Sequence, residues 1–223
     1  MIKKTVVITG SSWGIGRACA ILFAKNNYNV LINFNKSKEL AEELLNDFRE
    51  DGYSVDLFKA DISNRFEANA LINHCIGKFG KVDVLINNAG ISQNKLFTDI
   101  TDDDWNEMMG VNLNGIFYTT QKALQYMVPE CSGKIINISS IWGLVGGSSE
   151  VHYSTAKAAI IGMTKALAKE LGPSNIQVNC IAPGVIQTDM LNGIDDEILE
   201  MLREETPLMR HGTVDDKANC ALF

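Results

Sequence analysis

The chain has 223 residues, 46% of them hydrophobic and 21% charged, with a formal net charge of −7. That supplies apolar material for the core of one α/β domain and too little charge imbalance for a disordered chain. The acidic balance argues against nucleic acid as a partner, because phosphate binding needs clustered Lys and Arg.

Cys19, Cys75, Cys131, Cys180 and Cys220 are scattered, with no CxxC and no Cys/His metal-ligand spacing. The expectation is free thiols in a reducing cytoplasm and no metal site. The start MIKKTVVITG has too short an apolar run for a signal peptide, and no stretch approaches a membrane span, so no membrane partner is expected.

Thr5 to Thr9, TVVIT, reads as a buried parallel strand. Gly10, Gly14 and Gly16 follow in GSSWGIG, and an amphipathic helix then runs to about Asn26. A glycine turn between a strand and a helix start is a pyrophosphate site. Its amides point at the anion, the helix dipole assists, and missing Cβ atoms let the backbone come close. Ser12, Trp13 and Ile15 belong to the same turn and count with it as cofactor-binding positions. The spacing is GxxxGxG rather than GxGxxG.

The strand Val30 to Phe34 should end at the adenosine ribose. An Asp or Glu there would bind the ribose hydroxyls and repel a 2′-phosphate. Asn33, Asn35, Lys36 and Ser37 stand there instead, followed by Lys38, which favours NADP over NAD. Ser37 to Glu50 reads as an amphipathic helix and Val55 to Ala60 as a third strand. Asp61 and Ile62 fall just beyond it, where ligands of open α/β sheets bind. Asp61 can accept from an adenine amine or cap the helical region Ser63 to Phe79, for which Ser63 is the better cap.

Val82 to Ile86 is the fourth strand, ending in Asn87-Asn88-Ala89-Gly90. Small and amide residues there leave room for a flat ligand, while Asn88 can equally tie neighbouring strands together. A helix from about Asp103 to Met127 carries Asn112 in GVNLNGIF, flanked by Gly110 and Gly115. A mid-helix Asn is intrinsically disfavoured, so either a local distortion lines a site or the helix packs closely. Lys134 to Ser139 is the fifth strand, with Ser139 and Ser140 at its carboxyl end. Val151 to Leu171 is a long helix, with Tyr153 and Lys157 on one face a turn apart. A cation beside a phenol lowers its pKa and makes a proton donor for neutral pH. Alone, such a pair also reads as an ordinary helix surface.

Taken in order, TGSSWGIG (Thr9 to Gly16), Asp61, NNAG (Asn87 to Gly90), Asn112, Ser140, YSTAK (Tyr153 to Lys157) and PGVIQTD (Pro183 to Asp189) resemble the classical short-chain dehydrogenases/reductases. Within that family, INFNKSKELAEEL, GKIINISSIWG and NIQVNCIAPGVIQTDM look most like the bacterial 3-oxoacyl-acyl-carrier-protein reductases. The resemblance implies a Rossmann-like doubly wound parallel sheet in three αβα layers, one domain over residues 1–223, and a homotetramer or homodimer. It implies NADPH-dependent reduction of a 3-oxoacyl thioester in fatty acid synthesis. Tyr153 would donate the proton, Lys157 lower its pKa and hold the ribose hydroxyls, Ser140 orient the carbonyl, and Asn112 support a water. Asp61, Asn88, Ala89 and Gly90 would line the adenosine side, and Thr188, within the segment holding Pro183, Gly184 and Ile186, would meet the nicotinamide amide. The intact Ser140, Tyr153 and Lys157 argue against a sensor without catalysis.

Several positions depart from the pattern. Trp13 stands where many NADP-dependent relatives carry a basic residue, and Arg17 points elsewhere. Cys131 and Ser174 match arginine positions for docking an acyl carrier protein, with Lys134, Lys165 and Lys169 as possible substitutes. SSIWG (Ser139 to Gly143) with SSEVHYS (Ser148 to Ser154) also resembles the reductases of the aminopentanone modification on elongation factor P. Such a substrate carries an amine, for which Glu150 is a carboxylate partner unless it is only a helix-start acid favoured by the dipole. Leu191 to Arg210 should form a substrate lid, with Met190, Leu191, Met201, Leu208 and Met209 for an apolar pocket. The sequence stops at Cys220 to Phe223 inside a helix begun by the capping box Thr213 to Asp216, so the last strand of the family is expected to be missing.

Overall fold

Alternation along short β-branched runs determines the architecture. In β1 (Thr5–Ile8), Val6 and Ile8 join one core while Val7 joins another, so both faces of the strand are buried. The same splitting recurs in β2 (Asn29–Phe34), β4 (Val84–Asn87) and β5 (Gly133–Ile138). With β3 (Val55–Lys59) and β6 (Ile176–Ile181) they form a six-stranded sheet, ordered β3-β2-β1-β4-β5-β6 and parallel throughout. The computed structural model describes residues 3–188 and 195–222.

Helices cover both faces, giving three layers. On one side lie α1 (Gly14–Lys25), α2 (Lys38–Glu50) and α9 (Val214–Leu222), whose Phe23, Phe48 and Ala221 meet the side chains of Val6, Ile32 and Ile136. On the other lie α3 (Arg65–Phe79), α5 (Gly115–Met127) and α7 (Val151–Leu171), whose Leu71, Met127 and Leu171 pack on Val7, Leu85 and Ile135. This is the doubly wound Rossmann-like sheet that the resemblance implied. No described helix is long and apolar enough to cross a membrane.

A polar ladder crosses the second core. Asn87 Nδ2 donates to Asn137 Oδ1 at 2.8 Å and to Thr120 Oγ1 at 3.0 Å, and Asn137 Nδ2 donates to Thr164 Oγ1 at 2.9 Å. It ties β4 and β5 to α5 and α7 with these buried groups paired, which the interior requires of amides.

The helix expected from Asp103 to Met127 is three pieces. α4 (Asp102–Met109) starts at a Thr101–Asp104 capping box, Gly110–Asn114 forms a π-helical turn, and α5 follows. The distortion comes with Asn112, whose amide bonds outside the helix ladder to Ile91 as well as to Met108 O. Such π turns frequently occur at functional sites. Asn64, not Ser63, caps α3, accepting from Phe66 N at 2.9 Å. Ser63 instead donates to Asp61 Oδ1, making a local turn. The Thr213–Asp216 capping box forms as expected, with Asp216 N donating to Thr213 Oγ1 at 3.2 Å and Thr213 N to Asp216 Oδ2 at 2.9 Å.

Candidate active site

Beyond the carboxyl ends of the six strands opens a cavity of about 1120 Å³. A parallel sheet places its strand-end loops there together. Of the catalytic and cofactor positions expected from the sequence, all but Gly16 and Asn112 line it. Those two lie behind the wall and shape it.

At one end, Gly10 and Gly14 have φ of +60° and +58°, a conformation that favours glycine. A Cβ at Gly10 would sit 2.8 Å from Ala89 Cα, and one at Gly16 would sit 2.4 Å from Gly10 O. The turn therefore lies flat against the end of β4. Trp13, where α1 begins, is extended and makes no side-chain cap, and the first turn has no acidic residue. The first amides of α1 thus have no side-chain partner among the described residues and face the cavity through Gly14 and Ile15, which fits a bound anion.

The polar side chains around this turn are engaged with the protein itself. Asn33 Oδ1 accepts from Gly10 N at 3.0 Å, and its Nδ2 donates to Ala60 O at 3.1 Å. Asn88 Nδ2 donates to Gly10 O at 2.8 Å and Thr9 O at 3.1 Å, so it ties strand ends together as its alternative reading held. Asn35 and Lys36 are exposed at the cavity edge, beside half-buried Ser37. Arg17 pairs with Glu43 at 2.9 Å, turned towards α2.

At the other end stand Ser140, Tyr153 and Lys157, beside Gly90. A Cβ at Gly90 would lie 2.6 Å from Asn112 Oδ1 and 3.3 Å from Lys157 Nζ, so its absence lets the π turn and the lysine approach each other. Lys157 is almost fully buried, and its Nζ donates to Ile138 O at 3.0 Å and lies 5.5 Å from the Tyr153 ring centroid. Burial brings the ammonium pKa down to about 8.

The tyrosine differs from the sequence-based expectation. Burial pushes its pKa up, the Ser140 hydroxyl beside it pulls it down, and Glu150 adds to the rise. Desolvation outweighs any lowering by Lys157, whose ammonium is held by a backbone carbonyl. Glu150 lines the same cavity, and its Oε2 is buried with no hydrogen-bond partner among the described residues. Burial raises its carboxyl pKa. Its neighbour is the Trp142 indole, at the start of the short helix α6 (Trp142–Val145): a Cβ at Gly147 would lie 3.1 Å from the ring and 3.3 Å from Glu150 Oε2.

The lid is only partly as expected. Ile198, itself half exposed, and Leu202, one turn apart on α8 (Asp196–Glu204), line the cavity, while Met201, Leu208 and Met209 are exposed and do not line it. Met190 and Leu191 lie outside the described residues. The i, i+4 spacing of Ile198 and Leu202 was the signal for the facing side. Cys131 and the segment holding Ser174 are joined through the next residue: Asn175 Nδ2 donates to Cys131 O at 2.9 Å.

Residues 4–198 match the short chain dehydrogenase family. The chain is 38% identical, over all of its length and 90% of the relative's, to the 3-oxoacyl-[acyl-carrier-protein] reductase FabG of Staphylococcus aureus strain Mu50. It is 39% identical to the protein of that name from Aquifex aeolicus, over 99% of this chain and 89% of the other. A solved structure described as "Crystal structure of gox2181" superposes with a TM-score of 0.93 at 27% identity, over 99% of this chain and 87% of that one.

Proposed function

The chain belongs to the short-chain dehydrogenase family and is an oxidoreductase acting on CH–OH and C=O groups with a nicotinamide cofactor; on that premise we propose that it reduces ketones with NADPH, a 3-oxoacyl thioester first among them. The observation that carries this reading is the cavity itself, with Ser140, Tyr153 and Lys157 at one end and the glycine turn at the other. The relatives' names point to the thioester. NADPH rather than NADH is supported by exposed Lys36 and by the lack of any carboxylate between Asn33 and Lys38.

When bound, the dinucleotide supplies the hydride. Gly10, Ser12, Trp13, Gly14 and Ile15 would hold its pyrophosphate, with Gly16 keeping the turn flat. Asn35, Lys36 and Ser37 would meet the adenosine ribose, and Asp61, Ile62, Asn88, Ala89 and Gly90 the adenosine side. Pro183, Gly184, Ile186 and Thr188 would meet the nicotinamide. Tyr153, its pKa raised by burial, keeps its proton at neutral pH and so stands loaded as the donor to the developing alkoxide. Lys157, with its pKa near 8, is mostly charged at neutral pH and offsets the phenolate left behind. Ser140 orients the carbonyl. Asn112 fixes Ile91, and with it the cavity wall next to Gly90. The reading carries with it one catalytic domain, a cytoplasmic location and a homotetramer or homodimer, the last open to light scattering.

One observation favours a second substrate, a ketone carrying an amine, as in the aminopentanone modification of elongation factor P. Glu150 Oε2, without a partner among the described residues and close to the Trp142 indole, would receive an ammonium group. The test is the initial rate of NADPH oxidation with an acetoacetyl thioester, with NADH run alongside. Turnover that prefers NADPH and falls at least about 1000-fold in Tyr153→Phe is expected. Equal rates in that variant would remove Tyr153 as donor, and turnover of amino ketones alone would select the second substrate.

A further inference from the structure

We propose that Gln93 and Asp104 are positioning residues that place Tyr153, acting through the buried imidazole of His152.

Tyr153 is the third residue of α7, and that helix starts poorly. Glu150, before its first residue, makes no side-chain cap, and the first turn holds no acidic residue. A helix start without caps leaves its first amides unpaired and frays unless tertiary contacts hold it. His152 provides that contact. It has no exposed surface, and its Nε2 lies 2.8 Å from Gln93 Oε1. Gln93 Nε2 donates to Asp104 Oδ1 at 2.7 Å, which fixes the amide orientation. Gln93 Oε1 must then accept, so His152 donates through Nε2. Asp104 is itself held by Lys95 Nζ at 2.6 Å and by Thr101 N at 2.8 Å. Lys95 N closes the loop by donating to Ser149 O at 2.7 Å.

The series therefore joins three elements: the capped start of α4, the segment after β4, and the uncapped start of α7. Ile91, Ser92 and Asn94 of the middle segment line the cavity, while Gln93 between them turns inward to the imidazole. A substrate resting on this segment touches the same piece of chain that holds the catalytic turn. His152 Nδ1 has no partner among the described residues. Burial depresses the imidazole pKa, Asp104 raises it and Lys95 lowers it again, so the ring works as a neutral strut. None of these groups touches the reacting atoms.

The inference rests on Tyr153 being the proton donor, and the experiment separates the two. Gln93→Leu removes the strut's partner, and His152→Phe keeps the ring volume while removing the hydrogen bond. Each variant is assayed for ketone reduction, and the Tyr153 phenol is titrated by NMR of ring-labelled tyrosine, a readout that needs no turnover. With the anchor gone, water reaches the first turn of α7 and the burial that holds the phenol pKa high is relieved. We expect kcat to fall about tenfold or more with KM for NADPH within about twofold, and the phenol pKa to drop towards the ordinary value of about 10. An unchanged phenol titration, or kcat within about twofold of the parent in both variants, overturns the inference. A fall in kcat matched by weaker NADPH binding and a lower melting temperature overturns it too, by showing a general structural loss. Full activity in Tyr153→Phe would instead defeat the assignment of the donor.

Discussion

The two ends of the cavity treat their polar side chains in opposite ways. Around the glycine turn, Asn33 and Asn88 bond to the backbone of their own protein, and Asp61 accepts from Ser63. Around Tyr153, among the described residues, Lys157 donates to a single carbonyl and Glu150 Oε2 has no partner, and the phenol, the ammonium and the carboxyl all have pKa values displaced by burial. One end is a finished scaffold that presents backbone amides. The other keeps groups desolvated and under-paired, at a cost to stability, where a reaction would use them. Substitutions at the first end should therefore destabilise the fold, whereas those at the second should stabilise it while removing function.

The largest effect is expected at Gly16. Its Cβ would meet Gly10 O at 2.4 Å and Asn88 Nδ2 at 2.6 Å, so Gly16→Ala should cost about 3 kcal/mol or more, read from urea denaturation. Asn33→Ala comes next. It strips a partner from Gly10 N and from Ala60 O, and a loss of about 2–3 kcal/mol is expected by the same assay. Glu150→Gln should act in the opposite sense and least, stabilising by about 1 kcal/mol at pH 7. Its sign follows from the raised pKa. The native state prefers the protonated carboxyl, so stability is lost as pH rises from the ordinary glutamate range through the raised value. The advantage of the glutamine variant over the parent should grow across that window and vanish below it, and melting temperatures measured from pH 4 to 8 would reveal this.

Much of this division could be read from the chain. The glycine turn, the strand ends and the helix Val151–Leu171 follow from local pattern, because periodicity and turn chemistry act over a few residues. The oddity of Asn112 was visible too, as a polar residue in an apolar run between glycines. Its consequence, a π turn bonded to Ile91, depends on a partner far away in sequence and could not be read locally. The same holds for His152, which meets Gln93 only in the folded chain. The pKa of Tyr153 went the other way from the local expectation because spacing reveals a neighbouring cation but not the loss of water. Met201 was expected in the pocket from composition, whereas Ile198 and Leu202 are the residues of that helix that line the cavity.

Lys157 tests the contrast most directly. Its pKa in the fold is near 8 against an ordinary 10.5, so between those values the native state holds fewer protons than the unfolded chain, and stability rises with pH across that window. At pH 7 the full burden of the buried ammonium is present, as much as about 3 kcal/mol. The measurement is melting temperature and ketone turnover on the same preparation of Lys157→Met at pH 7. A higher melting temperature than the parent together with loss of turnover is expected. A lower melting temperature, or turnover that survives, would contradict it.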